Sequence, residues 1–155
     1  TDFLSLIQMR PDMEKDCNIL QWVAFASNAF NVMVPFYATI DTTPDYLSGT
    51  TKDVTTGNFY WVSRMIGAMA DASYKSSIFH IERYQERVMA KGHQLIHQYD
   101  TLLEKESDPA KRMALRLEAN QAIADMLKKE ASDTLDKVLY ELSNQMKNAY
   151  SRSDA

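Results

Sequence analysis

Three kinds of residue in this sequence have the chemistry of catalysts or ligands, and the neighbours of each decide how it reads. His93 and His97 stand four apart in a stretch of helical periodicity, a spacing that suits two imidazole ligands on one helix face. The zinc-protease pattern needs Glu directly after the first His, but Gln94 stands there, and His80 lies 13 residues away. The pair reads as two polar residues flanking the Leu95/Ile96 stripe, and no metal is expected. Cys17 is the single cysteine; Asp16 beside it disfavours the thiolate, and no cysteine-protease signature surrounds it. Thr1 could use its own α-amine as a base, but that requires a packed sheet to desolvate the amine, and too few strands follow. The four glycines, at 49, 57, 67 and 92, form no phosphate loop, and no Gly-x-Ser-x-Gly elbow exists. On its own the chain carries no catalytic residue set and no cofactor motif.

A second tier of residues suits binding more than bond breaking. Ser27, Asn28 and Asn31 sit at the hairpin loop that joins two strand-like runs, where polar groups can hydrogen-bond a peptide substrate or an oxyanion. Asn28 and Asn31 are equally good turn formers. Arg64 offers a planar fork for a substrate carboxylate, or for Asp71 on the same helix surface.

The elements that must position these groups fall into two parts, residues 1–57 and 58–155, together one domain or a fragment of one. Ile19–Phe25 is a β-rich run with apolar residues on both faces, as in a strand sandwiched between layers. Asn31–Tyr37 is a second such run, whose Pro35 demands an edge or a bulge, and residues 26–30 make a hairpin connection. Phe3–Ile7 adds a third strand. Residues 40–57 form a Thr-rich connection, long enough to suggest a function or packing over a partner.

Helix formers dominate from residue 58 onward. Asn58 caps a helix presenting Trp61, Met65, Ile66 and Met69, where Gly67 and Ala68 admit a close backbone. Residues 76–106 repeat Ile81, Val88, Leu95 and Leu102 every seven, widened by Tyr84, Ile96, Tyr99 and Leu103. Asp108-Pro109 restarts a helix whose stripe runs from Met113 and Leu117 through Ala124, Leu127, Ala131, Leu135 and Val138 to Leu142 and Met146. Unbroken to Tyr150 it would hold 42 residues, so a bend or a break near Ser132-Asp133 is expected. The last two segments read as an antiparallel helical hairpin. Glu82-Arg83, Glu86-Arg87 and Lys128-Lys129-Glu130 read as solvated helix surface. The fold class is α+β, mostly α.

Composition narrows the function classes. The 155 residues are 45% hydrophobic and 25% charged, ordinary for a globular chain. With 17 Lys plus Arg against 21 Asp plus Glu, no basic surface is available for nucleic acid. No apolar run approaches membrane-spanning length, and no secretory signal opens the chain. One cysteine suits a reducing, cytoplasmic compartment.

The runs Gln21–Ser27 and Asn31–Tyr37, with residues 7–12 upstream and 58–64 and 143–149 downstream, resemble the C-terminal part of one enzyme family. These are the cysteine dipeptidases among the N-terminal-nucleophile hydrolases, of the lactic-acid-bacterial dipeptidase A type. The resemblance implies a four-layer α/β/β/α sandwich in which a processed N-terminal Cys attacks a dipeptide amide, using its own α-amine as base. That nucleophile lies upstream of the matched region, so no residue here inherits it, and Thr1 reads as a truncation point. Strands apolar on both faces would then slot into a sandwich that this chain does not complete. Exposed Trp22, Val23 and Phe36 would favour a homo-oligomer. The alternative reading is a non-catalytic helical module for protein interaction or oligomerisation.

Overall fold

The β-branched and aromatic run Ile19–Phe25 forms strand β2, the centre of a three-stranded antiparallel sheet in a computed structural model that describes residues 3–146. Strand β1 (Phe3–Met9) pairs with one side of β2, Leu6 opposite Trp22, and β3 (Val34–Tyr37) with the other, Pro35 opposite Trp22. Pro35 lies on an edge strand, where its missing N–H leaves no gap in a central ladder. The outer edge of β3 is closed by one side chain. The Tyr37 N–H donates to Asn120 Oδ1 at 2.9 Å, and Asn120 Nδ2 donates to the Tyr37 carbonyl at 3.0 Å.

Three helices follow. In α1 (Phe59–Ala72) the side chain of Asn58 accepts from the Tyr60 N–H, the cap that the sequence predicts. At Ser73 the chain turns directly into α2 (Tyr74–Glu104), and the Ser73 hydroxyl bonds the Met69 carbonyl at 2.7 Å and the Ser77 hydroxyl at 2.6 Å. Asp108 caps α3 (Pro109–Ser143) by accepting from the Lys111 N–H. This helix holds 35 residues, about 52 Å at 1.5 Å per residue. It does not break at Ser132-Asp133: both face solvent, and the hydroxyl of the next residue, Thr134, bonds the Glu130 carbonyl at 2.8 Å. Tyr150 lies outside the described residues. Among those residues, no helix is long and apolar enough to cross a membrane.

The helical stripes shift from their expected phase. In α2, Ile81, Tyr84, Val88, Ile96, Tyr99 and Leu103 are buried, but Leu95 is half-buried and Leu102 exposed. A straight helix of 3.6 residues per turn drifts about 20° per heptad, which carries the later members of a seven-residue repeat off the core. In α1 the buried face is Phe59, Val62, Ser63, Ile66, Gly67 and Ala70, with Trp61, Met65 and Met69 at its margin. In α3 Ile123 joins the buried stripe, while Met113, Leu117 and Leu142 are only half-buried; Met146 lies beyond the helix end and is exposed.

The chain itself buries one face of the β2–β3 hairpin and partly covers the other. Leu20, Trp22 and Ala24 face α2, where Trp22 lies 5.1 Å from the His93 ring. Tyr37 donates to the Ile96 carbonyl, and a Cβ on Gly92 would lie 3.0 Å from Pro35 Cδ. On the opposite face Val34 and Phe36 are buried, and Phe25 meets Phe59 edge-on at 5.3 Å. The connection through Ile40, Pro44 and Leu47 borders that face. This corrects the expectation that Trp22, Val23 and Phe36 are left bare: Trp22 is 8% and Phe36 7% exposed, and Val23 is half-buried. The bare strand is β1, where Phe3, Leu4, Leu6, Ile7 and Met9 are all exposed.

Buried charge ties the turn after β1 to the helical hairpin. Arg10 bonds Asp100 at 2.6 Å, and Asp100 also accepts from the Tyr37 hydroxyl at 2.7 Å. Arg112 makes a bidentate pair with Asp16, which accepts from Arg116 as well. The Arg112 fork holds the Asp16 carboxyl below its usual range. A second cluster joins α2 to α3, with Arg87 and Lys91 on Glu130. Glu130 is 6% exposed, which corrects its reading as solvated surface.

Candidate substrate cleft

At the end of β2 the chain must turn sharply to enter β3, and Ala26 does so at φ 60°, where it is the sole non-glycine among the described residues with positive φ. Left-handed backbone costs an alanine about 1–2 kcal/mol, so the surrounding contacts must hold it. They are visible. The Phe30 N–H bonds the Ser27 carbonyl at 3.1 Å, and Asn31 Nδ2 bonds the Ser27 and Ser63 carbonyls at 3.1 and 3.0 Å. From α2, Gln85 Nε2 donates to the Asn31 carbonyl at 3.0 Å. The loop is therefore pinned to two helices at once.

Between this loop and α1 lies a cleft of about 390 Å³, bordered by Ser27 and Phe30 on the loop side and by Arg64, Gly67, Ala68 and Asp71 on the helix. Small-molecule sites span about 300–1,000 Å³. Arg64 donates to the Tyr60 hydroxyl at 3.3 Å, and its guanidinium lies over that ring at 5.6 Å, which sets it at the cleft rim. Gly67 leaves space that the loop fills with side chains, not backbone: a Cβ there would lie 3.6 Å from Asn31 Nδ2 and from Ser27 Cβ.

Of the four residues singled out in the sequence, Ser27 and Arg64 border the cleft. Asn31 stands behind it, 3% exposed, where it braces the loop against α1. Asn28 is half-buried, and its Oδ1, like Asn31 Oδ1 and Ser63 Oγ, is buried with no protein partner. Three buried polar atoms unsatisfied in one small region are unusual, since most such atoms find a partner in protein or water. Phe30 and Asp71 complete the border and were not foreseen as binding groups. Asp71 had a signal, because it sits seven residues beyond Arg64 on one helix face, but the sequence suggests pairing between the two.

The other groups with reactive chemistry sit elsewhere. Cys17 is 2% exposed; burial, then the neighbouring Asp16 charge, pushes its thiol pKa up. It borders a second cleft with His97, Asp100 and Arg112. His93 and His97 are exposed, His93 against Trp22, and no group of three or more His, Cys, Asp or Glu that could hold a metal occurs among the described residues. Thr1 lies outside them. Burial, then the Asp100 carboxylate, drives the Tyr37 hydroxyl well above its ordinary pKa, so it stays a neutral donor.

Residues 1–87, which include the whole cleft, match peptidase family C69. A dipeptidase of Bifidobacterium longum is 36% identical over 97% of this chain and 35% of its own length. A probable dipeptidase A of Streptococcus pyogenes is 36% identical over 99% of this chain and 32% of its own length. Dipeptidase A of Lactobacillus helveticus is 25% identical over 88% and 28%. The chain spans about a third of the length of the curated relatives it matches. With the family match covering more than half of the chain, it belongs to peptidase family C69.

Proposed function

We propose that this chain is the C-terminal part of a cytoplasmic dipeptidase that hydrolyses dipeptide amide bonds. The nucleophile is an N-terminal Cys in polypeptide outside this chain, activated by its own α-amine in the manner of the N-terminal-nucleophile hydrolases. The carrying observation is that proteins named dipeptidases align along nearly the whole chain. The arrangement of side chains is compatible with that division. The cleft at Ser27 and Arg64 has polar groups suited to holding a peptide, whereas the one thiol is buried and charge-disfavoured. The apolar strand β1, exposed on both faces, gives the chain a surface for the rest of the enzyme or, in its absence, for a second copy.

The test compares two proteins. The complete polypeptide encoded by the gene is expected to hydrolyse dipeptides and to lose activity when its N-terminal Cys is replaced by Ala. The isolated chain is expected to be inert. Hydrolysis by the isolated chain that disappears with Thr1→Ala would overturn the assignment of the nucleophile. A complete polypeptide without peptidase activity would leave the helical interaction module as the better reading.

A further inference from the structure

A residue kept in a rarely populated backbone region persists because its surroundings over-determine it, and such residues gather at ligand clamps and active sites. Ala26 is that residue here, at φ 60° and buried. Two side-chain amides hold the loop that follows it, each reaching two carbonyls from one nitrogen, as the two N–H donors of an amide allow. Asn31 Nδ2 bridges the Ser27 carbonyl at 3.1 Å and the Ser63 carbonyl of α1 at 3.0 Å. From α2, Gln85 Nε2 bridges the Ala29 carbonyl at 3.3 Å and the Asn31 carbonyl at 3.0 Å. The alternate carbonyls of Ser27, Ala29 and Asn31 are all taken up in this way. The Phe30 ring adds a further anchor, edge-on to Tyr74 at the start of α2 with centroids 6.2 Å apart.

What the braced loop offers the cleft is Ser27. The residue is exposed and borders the cleft beside Gly67, and no group among the described residues bonds its hydroxyl. A hydroxyl both donates and accepts, so it suits either group of a substrate's main-chain amide. Gln85 does not border the cleft, and its hydrogen bonds go to loop carbonyls. Any effect it has on a substrate must therefore pass through the loop. Such an effect can be large, because misplacing a positioned group by about 1 Å can cost about a hundredfold.

We infer that Gln85 and Asn31 are positioning residues of the substrate cleft: their amides hold the loop of residues 26–31 so that the Ser27 hydroxyl bonds the main chain of a bound dipeptide. This rests on the dipeptidase reading. Ser27 is the contacting group, and neither it nor the two amides takes part in breaking the bond. The strained Ala26, the two doubly used amides and the open Ser27 hydroxyl carry the inference together.

The test uses the complete polypeptide, the best substrate from a panel of unblocked neutral dipeptides, and a double-mutant cycle. Gln85→Met keeps the length of the side chain on a half-buried helix position and removes both donors. Asn31→Asp is the poorer probe, because it sets a buried carboxylate against two carbonyls and unfolding would mask its effect. Ser27→Ala is expected to raise KM about tenfold with kcat within about twofold, the mark of a lost binding contact. Gln85→Met should do the same, although its side chain does not border the cleft. The double variant should then be no worse than about tenfold, since the second change removes a hold on a contact already lost. A merely structural Gln85 would lower the melting temperature and leave KM of the folded enzyme unchanged. The inference is overturned if either single variant keeps KM within about twofold of wild type, or if the two effects multiply to about a hundredfold. If wild type cleaves no dipeptide of the panel, the dipeptidase reading fails first, and the positioning role falls with it.

Discussion

Asn120 gives the sharpest test of how the sheet is joined to the helices. Its amide takes both outward-facing backbone groups of Tyr37, with Asn120 1% exposed and Tyr37 1% exposed. Each buried backbone group deprived of its partner costs about 1–3 kcal/mol, so losing both costs roughly 2–6 kcal/mol. The replacement decides where in that range the effect falls. Asn120→Ala removes the whole amide, and the space left is polar on one side, so a water can enter and bond the Tyr37 groups. Asn120→Leu fills the same space with a side chain that can bond neither group, and excludes the water. We therefore expect a loss of about 2 kcal/mol for Ala and about 4 kcal/mol for Leu. At about 2–4 °C per kcal/mol for a chain of this size, the Leu variant should melt about 8–16 °C lower. Urea denaturation followed by helical circular dichroism and by Trp fluorescence measures both. The reasoning is refuted if Leu is within 1 kcal/mol of wild type, or if Ala is the more damaging of the two.

Two further outcomes follow from local geometry. Gly92→Ala and Gly67→Ala both gain about 1 kcal/mol of helix propensity. At Gly92 the new Cβ lies 3.0 Å from a Pro35 ring locked in the sheet, and overpacking of about 1–3 kcal/mol makes the net effect destabilising. At Gly67 the nearest atoms are at 3.6 Å, so that variant should be neutral to about 1 kcal/mol more stable, and thermal melts of equal sign for the two would contradict this. The acid limb of stability should follow Glu130 and Asp16. For Glu130, burial raises the pKa, but the bonds from Lys91 and Arg87 outweigh it and the net shift is downward; for Asp16 the Arg112 pair lowers it. A depressed folded pKa means stability that is present above the unfolded values of 4.5 and 3.8 and is lost as pH falls through the folded ones. Glu130→Gln should therefore flatten the decline in stability below pH 4.5, and an unchanged slope would argue that the Glu130 cluster is not coupled to folding.

What the sequence disclosed depended on whether a signal was local. The extent of β2, the Asn58 and Asp108 caps and the edge position of Pro35 are written in neighbouring residues, and each was readable. The helix phases were partly readable: Ile81 and Val88 are buried as expected, but the seven-residue repeat could not announce its own drift at Leu95 and Leu102. The buried charges were invisible. Arg116 and Asp16 lie 100 residues apart, and Arg10 and Asp100 lie 90 apart. A charged residue on a helix reads as solvated until its distant partner is known. In the cleft, Ser27 and Arg64 were legible as polar groups on a loop and a helix, whereas Asn31 became a brace because its amide faces two carbonyls that only the folded chain brings together.

The distribution of exposed apolar surface bears on what this chain contributes to an enzyme. If its sheet were simply half of a severed core, the central strand would be bare; instead β3 and one face of β2 are buried, and the other face of β2 is half-buried beside α1 and the 40–47 connection. Within the sheet the exposed apolar strand is β1, whose outer edge has no ladder partner among the described residues. Such an edge supplies backbone donors and acceptors as well as side chains, and so suits continuation of the sheet by a further strand more than contact with a helix. The cleft at Arg64 and Asp71 lies off the opposite end of β2 from the turn that Arg10 and Asp16 anchor. The chain therefore leaves one sheet edge open at β1 while the loop after β2 stays pinned between two helices, an arrangement compatible with the positioning role proposed above.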